Sequence, residues 1–249
     1  MDGTQKSSLI QNLIMKKIQL SCLPTIIVLV IFIVTMDACK SGNTSGSYKG
    51  TPYKDSSYSS GAQVIPGKLQ CEYYDFGGEG IAFHDSDSIN SGSGRLNPAD
   101  GSYLHEFRID EAVDISYTKF RDPAIDNTEY NFVEPERDQL YVGWTAPGEW
   151  IKYTVNVLQT GIYELGIMYT ANQNGKISLS VNEEDKTGPL EITSTFVAAD
   201  SVGWRQWHHW NYLARIARID LKKGVHTITF HTVEIGQMNY DFIDFKLLN

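Results

Sequence analysis

All five tryptophans of the chain lie between Trp144 and Trp210, and two directly follow a glycine: Trp144 in Tyr141-Val142-Gly143-Trp144 and Trp204 in Val202-Gly203-Trp204-Arg205. A large aromatic beside a glycine at a strand end is poor core material and a good platform. A flat ring held on a rigid sheet can stack on the apolar C–H face of a sugar, using the dispersion and quadrupole effects that act between aromatic pairs. A Trp in a β-sandwich more often fills the core, so its neighbours decide the reading. A second set of residues offers oxygen ligands. In Leu69–Tyr74, Gln70 and Glu72 share one face by the period of two, and near the C-terminus Asn239, Asp241 and Ile243 share a side. Oxygens from a first and a last strand could hold a structural Ca²⁺, although solvent-facing polar residues are the commoner explanation of such spacing.

Catalytic chemistry finds less support. Glu72, Asp85, Asp87, Asp110, Glu111, Glu149 and Asp241 supply carboxylates. Two of them roughly 5.5 Å or 6.5–9.5 Å apart could run glycoside hydrolysis, but no spacing fixes such a pair in a cleft. The chain has no Gly-x-Ser-x-Gly, no His-Glu-x-x-His and no phosphate loop. His208 and His209 are adjacent, and adjacent side chains in extended backbone point to opposite faces, so one metal ion rarely sees both.

The elements that must position these residues are strands. Period-two runs cover 68–74, 113–118, 150–157, 161–171, 176–181, 190–194, 213–221, 225–233 and 241–248. In 150–157, Ile151, Tyr153, Val155 and Val157 share the core face. Asn172-Gln173-Asn174-Gly175 and Lys222-Lys223-Gly224 read as hairpin turns in which Gly supplies positive φ. Nine strands with no helical period between them predict an all-β fold, an antiparallel β-sandwich with jelly-roll topology. Residues 116–139 are long, charged and weakly periodic; Phe120, Tyr130 and Phe132 within them predict a segment that packs down.

Lys16-Lys17, an apolar run from Leu23 to Met36, and Ala38 before Cys39 read as a secretory signal over 1–39, with Met15 the better start. Ala38-Cys39 resembles a bacterial lipobox, which makes Cys39 the lipidation site and predicts a secreted, lipid-anchored protein at the cell envelope or surface, its membrane contact confined to that anchor. Asp37 and Met36 depart from the usual lipobox. Residues 40–64, rich in Ser, Gly, Tyr, Thr and Lys, read as a flexible tether before a domain over 65–249. Cys22 and Cys39 fall within the signal, so Cys71 is left alone and no disulfide framework or cysteine metal site is available. The net charge of −9 repels phosphate backbones and argues against nucleic acid, while suiting neutral ligands and cations.

Several blocks, in order, resemble family 6 carbohydrate-binding modules. They are Ile65–Asp75 with Gly78–Asp85, Phe107–Ile115, Tyr141–Val155, Gly203–Trp207, Gly224–Ile228 and Met238–Ile243. The resemblance implies a jelly-roll domain that binds polysaccharide or oligosaccharide without cleaving it, with a β-glucan, xylan or related glycan as ligand; a monomer is expected. It implies a sugar clamped between two aromatics, matched by Trp144 and Trp204, with Asn239 bonding its hydroxyls. It also implies a structural Ca²⁺ on Gln70, Glu72 and Asp241, and in some members a second site on the concave sheet face. The 116–139 segment exceeds the family's usual length, and 208–212 is a further insertion; both lead into the clamp. The alternatives are a glycoside hydrolase or lyase, and a surface protein-interaction domain using 116–139.

Overall fold

The computed structural model describes residues 48–248 except 60, 122, 235 and 236. The expected signal, Cys39 and residues 40–47 of the tether lie outside the described residues. Thirteen strands follow in chain order: β1 (Gln63–Ile65), β2 (Gly67–Gln70), β3 (Phe83–His84), β4 (Ile115–Tyr117), β5 (Leu140–Val142), β6 (Trp150–Val157), β7 (Gly161–Ala171), β8 (Gly175–Val181), β9 (Glu184–Asp185), β10 (Leu190–Ile192), β11 (Asn211–Leu221), β12 (Gly224–Glu234) and β13 (Met238–Leu247). They form two sheets. One runs β1-β6-β12-β8-β10, with β3 sharing the edge of β6 and β9 added to β8; the other runs β11-β7-β13-β5-β4, with β2 also on β13. Pairing is antiparallel except between β1 and β6. This is the expected jelly-roll sandwich.

The core lies between the sheets. Ile151, Tyr153, Val155 and Val157 of β6, which the sequence places on one face, are all buried and meet Tyr163, Leu165, Ile167 and Tyr169 of β7 in one cluster. Phe230 of β12 and Tyr240 of β13 cross the gap, ring centroids 4.5 Å apart at 69°, the edge-to-face geometry the ring quadrupoles favour. Gly224 turns the β11–β12 connection at φ +135°, as expected, whereas Gly175 has no positive φ.

Three expectations need correction. The strand expected over 68–74 ends at Gln70, where Tyr73 N–H turns back to the Gln70 carbonyl, so Glu72 lies in a turn and period-two reasoning does not reach it. In β13 the register slips between Tyr240 and Phe242, making Asp241 an extra residue that reverses the alternation. Tyr240 and Ile243 therefore both belong to the core, and Asn239, Asp241 and Ile243 do not share a side.

The third concerns the tether, whose described part, from Tyr48, is packed onto the domain. Thr51 pairs with Phe76, Tyr53 is buried, and Tyr53 and Tyr58 stack on Tyr73 at 5.4 and 4.1 Å. The Arg108 guanidinium lies 3.4 Å from the Tyr74 ring centre and 5.0 Å from that of Tyr53. A composition rich in Ser and Gly suggests a loose chain, but the tyrosines carry enough apolar area to order it. The 116–139 segment is anchored, but through Asp126, which is fully buried, and not through the aromatics expected to seat it: Phe120 and Tyr130 are half-buried and Phe132 is 58% exposed.

Candidate functional site

Where β5 ends and β13 begins, a cleft of about 580 Å³ opens between Trp144, Trp204, Trp207, His208, Tyr141 and Asn239, with Leu96, Thr145, Ala146, Pro147 and Gln237 completing its walls. Trp144 is 45% exposed and Trp204 56%. The rings of both are therefore open, and no described residue of 116–139 lines the cleft. The backbone around Trp144 is specialised. A Cβ on Gly143 would lie 2.8 Å from Asn239 Oδ1 and 3.2 Å from the Tyr141 ring, so only glycine lets these groups close up. Trp144 itself sits at φ +50° and Gln237 at +44°. Bulky side chains in the left-handed region cost of order 1–3 kcal/mol and cluster where function requires them.

Trp204 rides on a single 3₁₀ turn, Gly203–Trp207. That turn is anchored by Arg205, whose Nε and Nη2 donate to the two oxygens of buried Asp200 at 2.7 Å each. This bidentate contact holds the Asp200 carboxyl well below the usual range. His209 Nε2 lies 2.8 Å from the same carboxylate and Nδ1 3.1 Å from the Thr195 carbonyl, while His208 Nδ1 faces Asp126 at 2.9 Å. The two adjacent histidines thus serve different carboxylates, as their expected opposite orientation implies.

Asn239 is buried at the back of the cleft. Its Nδ2 donates to Thr170 Oγ1 at 3.0 Å and to the Trp207 carbonyl at 2.7 Å. Both amide hydrogens are used, so Oδ1 is left as an acceptor with an opening to solvent. The structure therefore brings Trp144, Trp204 and Asn239 together in one cleft.

Sequence reasoning missed Trp207, Tyr141, His208, Leu96, Pro147 and Gln237 as lining residues. Trp207 and Tyr141 stood inside the blocks that carry the family resemblance, which was the available signal. Leu96 and Gln237 come from loops distant in sequence and gave none. Trp210, a neighbour of the site in sequence, is fully buried against Tyr141 with ring centroids 5.2 Å apart.

At the other expected site, Glu72 and Asp241 are buried near one another, and one oxygen of each, Glu72 Oε2 and Asp241 Oδ1, has no hydrogen-bond partner. Burial, reinforced by the Asp241 charge, pushes the Glu72 carboxyl well up; burial likewise pushes Asp241 up to about 8. Gln139, at the end of the long insertion, joins them: its Nε2 donates to Glu72 Oε1 at 3.1 Å and lies 3.5 Å from Gln70 Oε1. Among the described residues no three His, Cys, Asp or Glu side chains converge to hold a metal. A cation here would thus draw on two carboxylates and amide oxygens, the hard donors that suit Ca²⁺.

The structure defines an all-β sandwich whose open cleft is walled by tryptophans. The model of carbohydrate binding module family 6 matches residues 115–247, and the chain belongs to that family: it is a non-catalytic carbohydrate-binding domain. No curated protein sequence matches the chain. Among solved structures it is similar to CsCBM6-3 from Clostridium stercorarium, solved with cellobiose (13% identity, 76% of this chain and 99% of that one, TM-score 0.45). It is also similar to a β-1,3-glucan-binding family 6 module from Bacillus halodurans (11%, 74% and 98%, 0.42). A third is a family 35 module from Clostridium thermocellum (21%, 44% and 78%, 0.36).

Proposed function

We propose that the cleft binds a pyranose of a neutral polysaccharide, such as a β-glucan or xylan, between Trp144 and Trp204, with Asn239 Oδ1 accepting one of its hydroxyl hydrogens. The observation that carries this reading is the exposure of both indoles on one cleft whose inner wall holds a buried amide with a free acceptor. Stacking desolvates the apolar sugar face, and leaving Asn239 Oδ1 unpaired beneath a bound ring would cost about 1–3 kcal/mol, which favours sugars that place a hydroxyl there. Among the described residues no Lys, Arg, Asp or Glu lines the cleft, so an anionic glycan would lose hydration without gaining an ion pair from them. Affinity electrophoresis in gels containing mixed-linkage β-glucan or xylan tests this. The wild type should be retarded, and Trp144→Ala and Trp204→Ala should migrate freely; equal retardation of all three ends the proposal.

Ca²⁺ on Glu72, Asp241 and Gln70 is the cofactor of this reading, supported by the two buried oxygens that lack partners. When bound, it would neutralise the buried carboxylates and tie the turn after β2 to the bulge of β13. We further propose, from the sequence alone, a monomer lipidated at Cys39 and held at the cell envelope or surface. Mass spectrometry of the membrane fraction tests that anchor, and an unmodified Cys39 there would exclude it.

A further inference from the structure

We infer that His208 is a second hydroxyl-reading group of the cleft, held in the required tautomer by Asp126 of the long insertion. This inference rests on the reading of the cleft as a sugar site. The argument begins at Asp126, which is fully buried. Its Oδ1 accepts the Trp210 indole hydrogen at 2.7 Å, and its Oδ2 accepts the Lys119 backbone N–H at 2.7 Å. Indole and backbone nitrogens only donate, so both carboxylate oxygens are acceptors. The His208 Nδ1 that lies 2.9 Å from Oδ1 must therefore carry the hydrogen. In the neutral ring the lone pair is then left on Nε2.

Nε2 has no hydrogen-bond partner and is not sealed from solvent, and His208 lines the cleft. The imidazole stands at 80° to the Trp204 indole, with ring centroids 6.1 Å apart. A pyranose lying on that indole directs its equatorial hydroxyls outward around its rim, beside an upright imidazole. The neighbouring residue ties the two acceptors together, since the Trp207 carbonyl accepts from Asn239 Nδ2. Two acceptors of fixed orientation, with no cation among the described lining residues, require two free hydroxyls on one sugar, both donating. A glycan whose hydroxyls are O-methylated cannot supply them.

The test uses the whole domain with xylotetraose and cellotetraose, unmodified and O-methylated, by calorimetry, together with NMR of the imidazole nitrogens. In the free wild type, His208 should show a protonated Nδ1 and a bare Nε2, and Nε2 should shift on adding the unmodified sugar. His208→Ala should weaken binding on the order of tenfold and, because it takes a donor from the buried Asp126 carboxylate, also lower the melting temperature; O-methylation of the sugar should abolish binding to the fully stable wild type. Asp126→Asn should disturb the His208 tautomer, the signature of a positioning residue. A protonated Nε2 in the free domain overturns the inference whichever glycan binds. So does wild-type affinity in His208→Ala. Wild-type affinity in Trp144→Ala is a separate result, which removes the sugar site itself.

Discussion

Asp126 and His208 meet at 2.9 Å across 82 positions of sequence. The contact joins the longest insertion of the chain to the wall of its cleft. The described residues of the insertion do not line the cleft; Asp126 works from behind it, as a brace. The Asn131 side chain helps to set it, donating to the Asp126 carbonyl at 2.6 Å and accepting from Trp210 N–H at 3.0 Å.

Removing that brace should cost stability. Asp126→Ala leaves the buried Trp210 indole N–H and the Lys119 amide without partners, at about 1–3 kcal/mol each. Urea unfolding should show a loss of about 2–4 kcal/mol, and a loss under about 0.5 kcal/mol would contradict the assignment.

Trp204 should behave in the opposite way. Its ring is more than half exposed, so Trp204→Ala should change unfolding free energy by no more than about 0.5 kcal/mol. Its effect on glycan affinity should be large, about 2 kcal/mol or thirtyfold, as for an aromatic anchor. Calorimetry beside urea titration separates the two effects; a marked stability loss would make the ring structural.

The left-handed backbone at Trp144 reverses the usual ranking of small residues. Trp144→Gly should be more stable than Trp144→Ala by about 0.5–1 kcal/mol, because only glycine takes this φ without penalty. Both should lose binding. An alanine variant as stable as the glycine one would show that the backbone carries no such strain.

Calcium should raise the melting temperature of the wild type by mass action, and a chelator should reverse the rise. Glu72→Gln with Asp241→Asn should abolish the response while raising the metal-free stability, since both carboxylates are buried with an unpaired oxygen. Identical melts with and without saturating Ca²⁺ would remove the ion from the proposal.

Acidic residues near β3 predict a pH dependence. Burial, with the charges of Glu149, Asp114 and Asp87 adding to it, pushes the Asp85 carboxyl up to about 7. The folded state then holds this proton more tightly than the unfolded chain does. Its contribution is full below about pH 4, the unfolded value, and is lost as pH rises through 7. Melting temperature should therefore fall across that window, and the fall should be shallower in Asp85→Asn, whose side-chain oxygen can still accept from the Asp87 N–H. Parallel slopes in the two proteins would exclude Asp85 as a source.

The long strands were legible because each carries its own evidence. Ile151, Tyr153, Val155 and Val157 alternate with more polar residues over one uninterrupted run, and β6 and β7 end where that reading ends them. Strands of two or three residues, such as β1, β3 and β5, are too short for a period to register. The bulge at Asp241 was invisible for a related reason. One inserted residue changes the parity of everything after it but leaves the local composition unchanged.

The sequence determined, by its period-two runs, that the fold would be a β-sandwich, and its resemblance to family 6 modules marked Trp144, Trp204 and Asn239 as the residues to watch. The tertiary structure decided which tryptophans face solvent. Trp204 and Trp210 lie six positions apart, yet one is open and the other sealed. Sealing an indole requires an acceptor for its N–H, and for Trp210 that acceptor is Asp126, 84 residues away. A hydrogen bond across such a separation leaves no mark in any local pattern, because burial depends on which distant chain arrives to meet the polar atom.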